Sequence, residues 1–60
     1  MKPRIKLFKN GASAYFGRCS IGYETFARNS RGDVIDKMRC DDYRMALDFY
    51  RAFQALARAA

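Results

Sequence analysis

Three groups of side chains in this 60-residue sequence are of types that do chemistry: two thiols, six carboxylates and twelve cations. No histidine accompanies them, which removes the commonest general base and with it the Ser–His and Cys–His nucleophile pairs. Asp41 and Asp42 are adjacent, and successive helical residues point in different directions. Helix capping therefore accounts for them better than shared acid–base or Mg²⁺ chemistry. Cys19 and Cys40 read as two reduced, half-buried thiols. A bridge between them is the alternative if the second and fourth strands end near each other. Zinc takes about four ligands, and only Asp41 and Asp42 are at hand to supplement the thiols, so no metal and no cofactor is expected. The four glycines lie too far apart to cradle a phosphate. Arg31-Gly32-Asp33 spells a tripeptide that looks like an integrin-binding motif, but it falls where a turn needs glycine and reads as a hairpin tip. A binding protein, not an enzyme, is the expectation.

The cations carry the strongest signal. Net charge is +6, and all of the excess sits in the first half. Lys2, Arg4, Lys6, Lys9, Arg18, Arg28 and Arg31 face only Glu24 there. Lys37, Arg39, Arg44, Arg51 and Arg58 are matched in number by Asp33, Asp36, Asp41, Asp42 and Asp48. Such asymmetry points to an anionic partner.

The elements that must position these charges form one domain. A chain this short buries only about 60% of its unfolded surface, yet half its residues are apolar, enough for one core and too much for a disordered tail. No signal-peptide-like run follows Met1-Lys2-Pro3-Arg4, and no stretch approaches the roughly 20 apolar residues of a membrane span. A cytoplasmic protein without membrane contact is expected. The pattern predicts an α+β fold, a small antiparallel β-meander of three to four strands packed against one C-terminal amphipathic α-helix. The strands fall at about 4–9, 12–20, 23–28 and 34–40, and the helix at about 42–58.

Asn10-Gly11 between two strand-like runs signals a two-residue hairpin turn. That register pairs Ile5 with Phe16 and Leu7 with Ala14 on a core face, leaving Arg4, Lys6, Phe8 and Tyr15 on the other. Gly22 marks the next bend. Pairing Arg28 with Asp33 sets Glu24 opposite Lys37 and Phe26 opposite Ile35, with Tyr23, Ala27, Val34 and Met38 as core. Segment 33–39 also fits a helix capped by Asp33, but Gly32-Asp33 before the β-branched pair Val34-Ile35 favours strand. In the final helix Tyr43, Ala46, Leu47, Tyr50, Phe53 and Ala57 line one side, widened by Met45, Phe49 and Leu56. Arg44, Asp48, Arg51 and Arg58 mark the solvent side.

One helix cannot cover both faces of such a sheet. The open face is expected to interleave cations with rings, which suits nucleic acid, DNA or RNA: bases stack on rings and phosphates meet cations. The candidate residues are Arg4, Lys6, Lys9, Arg18 and Arg28 for phosphate, with Phe8 and Tyr15 to stack or wedge. The rival reading is a protein-interaction module whose cations meet an acidic protein surface, such as a small phage-encoded inhibitor of a host enzyme or CRISPR complex. A homodimer burying Phe8, Phe26, Phe49 or Leu56 is compatible with either. In element order alone, a short meander with a basic hairpin and then one helix, the chain resembles the arm-type DNA-binding domains of phage and transposon integrases. It departs from them in lacking tryptophan and in its Asp-rich helix start, and no functional residue is carried over.

Overall fold

The computed structural model describes residues 2–60. Four strands, β1 (Arg4–Leu7), β2 (Ser13–Cys19), β3 (Gly22–Arg28) and β4 (Val34–Cys40), precede one helix, α1 (Tyr43–Ala59). They form an antiparallel sheet in the order β1-β2-β3-β4, so the expected α+β meander is the fold, and the segment before the helix is a strand. The helix is not long and apolar enough to cross a membrane.

α1 starts at Asp42, whose carboxylate accepts from the Met45 amide at 3.1 Å. It lies over β2, β3 and β4, burying Ala46, Tyr50, Phe53 and Ala57 against Ala12, Ala14, Phe16 and Ala27. Small residues dominate the sheet side of this core, which lets the helix approach closely, while Phe16 supplies most of the bulk. Thr25 is fully buried there, and its hydroxyl donates to the Tyr15 carbonyl at 2.6 Å.

The first hairpin differs from the expected register by one residue. The observed pairs are Arg4 with Phe16, Ile5 with Tyr15, Lys6 with Ala14 and Leu7 with Ser13. A one-residue slip moves every side chain of a strand to the other face. Arg4, Lys6 and Phe8 therefore share the helix-side face with Phe16, and Ile5 and Leu7 leave the predicted core for the open face, 63% and 75% exposed. The cause is the loop, which takes three residues, Lys9-Asn10-Gly11, with Gly11 at φ +88°. The Gly11 amide donates to the Phe8 carbonyl, and the Phe8 amide to the Ala12 carbonyl. A two-residue turn would need Asn10 at positive φ, and no residue other than glycine has one among those described. Instead, the Asn10 amide nitrogen reaches the carbonyls of Ala57 (2.9 Å) and Ala60 (2.8 Å), and its oxygen accepts from the Ala12 amide at 2.9 Å. One side chain both sets the turn and caps the far end of α1.

The β3–β4 loop repeats this geometry over Ser30-Arg31-Gly32, with Gly32 at φ +87° and Asn29 Oδ1 accepting from the Arg31 and Asp33 amides. Arg31-Gly32-Asp33 thus occupies a hairpin tip. Arg28 faces Val34, and a bulge then shifts the pairing, so that Phe26 faces Lys37 and Glu24 faces Arg39. Between Glu24 and Arg39 the offset from the expected register is two residues, which preserves the faces. Val34, expected in the core, pairs beside Arg28 on the open face and is 47% exposed, because the bulge breaks the alternation there. Cys19 and Cys40 are free thiols. The alternation places Cys19 on the open face with Tyr15, and Cys40 on the helix face opposite Tyr23, so the sheet separates them.

Candidate nucleic-acid interface

β1 is exposed at all four residues because α1 does not extend over it. Arg4 and Lys6 consequently lie on the helix side of the sheet without being buried beneath the helix. Arg4 is held there by two contacts. Its guanidinium carbon stands 5.7 Å from the Phe16 ring centroid, and a terminal nitrogen makes a long contact, 3.5 Å, with the Tyr43 hydroxyl.

On α1, Arg44, Arg51 and Arg58 recur every seven residues and so form one stripe. Contacts at both ends show which way it faces. Arg58 sits over the Phe8 ring at 5.4 Å, and Tyr43, the contact of Arg4, lines a shallow cleft with Arg44, Leu47, Asp48 and Arg51. Strand and helix therefore bound a single flank with Arg4 and Lys6 on one side and Arg44, Arg51 and Arg58 on the other. Lys9 lies in the loop at its lower end. Arg18, on the helix-side face of β2 beyond Arg4, stands 6.0 Å from the Tyr23 ring. None of these cations has an ion-pair partner among the described residues. The three ion pairs use Arg31 with Asp33, and Lys37 and Arg39 with Glu24.

The predicted site is thus divided. Arg4, Lys6, Phe8 and Arg18 share the helix-side face, Lys9 joins them at the loop, and Tyr15 and Arg28 lie on the opposite side of the sheet. Phe8 does not stand free to stack: it is half-buried against both core clusters beneath Arg58. Tyr15 stacks on Phe26, with centroids 4.6 Å apart and planes 13° from parallel, while Arg28 stands 5.1 Å from the Phe26 ring. The Tyr15 ring also covers Gly17, where a Cβ would collide with it. The helix arginines are the residues that sequence reasoning set aside as a solvated face. Their seven-residue spacing was visible, but the flank they share with β1 depends on the hairpin register.

Burial raises the pKa of the Tyr50 phenol, and the nearby Arg4 cation partly offsets that rise. The phenol stays neutral at physiological pH and serves as core, not as an acid or base. No protein-family model, curated protein or solved structure matches this chain.

Proposed function

We propose that this protein is a non-catalytic accessory protein of the cytoplasm that grips the phosphate backbone of double-stranded nucleic acid along the flank between β1 and α1. The observation that carries this reading is the convergence of Arg4, Lys6, Arg44, Arg51 and Arg58 on one flank, none of them in an ion pair among the described residues and with the single carboxylate of Asp48 in the cleft beside Arg44 and Arg51. Cations so placed attract phosphates and release their counterions on binding. At 1.5 Å per residue, Arg44 to Arg58 spans about 21 Å, the length of about six phosphates on one strand of a duplex at 3.4 Å each. The choice of duplex over single strand rests on the rings. Phe8 is packed under Arg58 and Tyr15 against Phe26 on the other side of the sheet, which leaves a surface of point charges suited to a regular backbone.

The test is fluorescence anisotropy with labelled duplex and single-stranded DNA and RNA across a salt series. Five backbone contacts predict a slope of log affinity on log salt of about −4 to −5 for a duplex, with little dependence on sequence. Absence of duplex binding at physiological salt, or a slope near zero, defeats the reading.

A second reading is favoured by one feature, the bare edge of β1. The Phe8–Ala12 pair is hydrogen-bonded, so by alternation Ile5 and Leu7 direct their backbone groups outward. Their side chains are the two most exposed large apolar ones among the described residues. An extended segment of an acidic protein could add to this edge. Capture of such a partner by a protein that ignores nucleic acid would establish that reading instead.

A further inference from the structure

The flank of α1 away from β1 has a different character. Met45, Phe49, Ala52 and Leu56 follow one another at intervals of four, three and four residues, the spacing of a helix–helix seam. The core residues Ala46, Tyr50, Phe53 and Ala57 have the same spacing, displaced by one residue. The helix thus carries two parallel apolar seams about a quarter-turn apart, and only one meets the sheet. The second is uncovered. Met45 is 50% and Leu56 40% exposed, and a shallow apolar cleft is lined by Met45, Asp48, Phe49 and Ala52. Phe49 is half-buried by packing on the Phe53 cluster and stands 6.0 Å from the Phe53 ring, which anchors the seam to the core.

We propose that a second copy of this chain covers the seam, forming a two-fold dimer through antiparallel α1 helices. The seam is complementary to itself under that operation. A two-fold axis between Tyr50 and Arg51 sets Met45 against Leu56 of the second copy and Phe49 against Ala52 of the second copy. Each large side chain then meets a smaller or more flexible one, as a self-complementary interface requires. Asp48, which lines the cleft beside Met45, Phe49 and Ala52, falls closest to Ala55 of the second copy. Charge disposition selects the same partner face. Two chains of net charge +6 repel where their basic flanks meet, and this dimer keeps both flanks away from the contact. Pairing through the β1 edges would instead bring Arg4 and Lys6 of both copies together. An interface of about 1,000 Å² in total, the lower limit for a specific one, takes roughly 500 Å² from each copy's 4148 Å².

Sedimentation equilibrium without nucleic acid tests the dimer independently of the proposed function. The wild-type mass should rise with concentration from 6.9 kDa to twice that value. Ala52→Glu, at an exposed helical position, should lower the association constant more than tenfold while leaving the far-ultraviolet helix signal unchanged. Register is read by charge pairs. Met45→Lys and Leu56→Glu should each weaken the dimer, and the double variant should restore it, because each Lys then meets a Glu of the second copy. A wild-type protein that stays at 6.9 kDa up to millimolar concentration overturns the proposal. So does a folded Ala52→Glu variant that remains dimeric, or a double variant no better than the singles.

Discussion

The two flanks of α1 are cut from the same seventeen residues and rest on the same core, yet one is cationic and the other apolar. Arg44, Arg51 and Arg58 face the uncovered strand β1, whereas Met45, Phe49, Ala52 and Leu56 face away from it. The difference teaches that in a small domain the helix need not be simply two-sided, core and solvent. With the core seam narrow, because its sheet partners are largely alanines, there is room on the cylinder for two further surfaces of opposite kinds. One suits phosphate, which prefers unpaired cations, and the other suits protein, which prefers neutral apolar contact. The open face of the sheet mixes the two characters: Glu24 partly neutralises Lys37 and Arg39 there, beside the Tyr15–Phe26 stack.

The largest effect expected is on what both flanks share. Phe16 is fully buried and touches Tyr23, Tyr43 and Tyr50, so Phe16→Ala should cost about 3–5 kcal/mol. That is most of the stability of a domain of this size, and a thermal melt should show a protein largely unfolded near room temperature. A cooperative melt near the wild-type midpoint would mean that the flanks have independent support. Next in size is the separation of the flanks themselves. Arg44→Gln, Arg51→Gln and Arg58→Gln combined should flatten the salt slope for duplex binding by about 2–3 and leave self-association unchanged. Ala52→Glu should do the reverse. A loss of both properties in either variant would show that the flanks are coupled.

Asn10 marks where the sequence was legible and where it was not. The elements, their order, the strand assignment of 34–40 and a helix cap at Asp41 or Asp42 all follow from alternation, helical spacing and turn chemistry; the structure selects Asp42. What failed was the length of two loops, each of which takes three residues, Lys9-Asn10-Gly11 and Ser30-Arg31-Gly32. Asn10-Gly11 reads as a two-residue turn from local propensity, but the Asn10 side chain is recruited by the carbonyl end of α1, 47 to 50 residues away. No local pattern contains that information, and with a period of two the error exchanged the faces of β1. The same omission hid the basic flank, since Arg44, Arg51 and Arg58 join Arg4 and Lys6 only when β1 has its observed register. Val34 was lost to the bulge for the related reason that alternation cannot announce its own interruption. Asn10→Ala removes both sets of bonds and should cost about 1–2 kcal/mol, read as a lower melting midpoint. It should also loosen the end of α1 that holds Arg58 over Phe8, weakening the basic flank more than the apolar seam. Equal losses on both would show that Asn10 supports the helix as a whole and not one side of it.

The smallest effect is a test of how near the basic flank lies to the core. Tyr50 is buried, and its phenol in the folded protein titrates above the ordinary 10.0 because burial penalises the phenolate, an effect that Arg4 partly opposes. A group with a raised folded pKa holds its proton more tightly in the native state, so between the two values the unfolded chain binds fewer protons. Stability is then intact below about pH 10 and falls as pH rises from there through the folded value. Tyr50→Phe should flatten this alkaline decline in melts taken across that range. Arg4→Gln should steepen it, because removing the cation leaves burial unopposed and drives the folded pKa further up. If Arg4→Gln leaves the decline unchanged, the Arg4 guanidinium does not sit where the Tyr43 and Phe16 contacts place it, and the strand side of the basic flank would have to be redrawn.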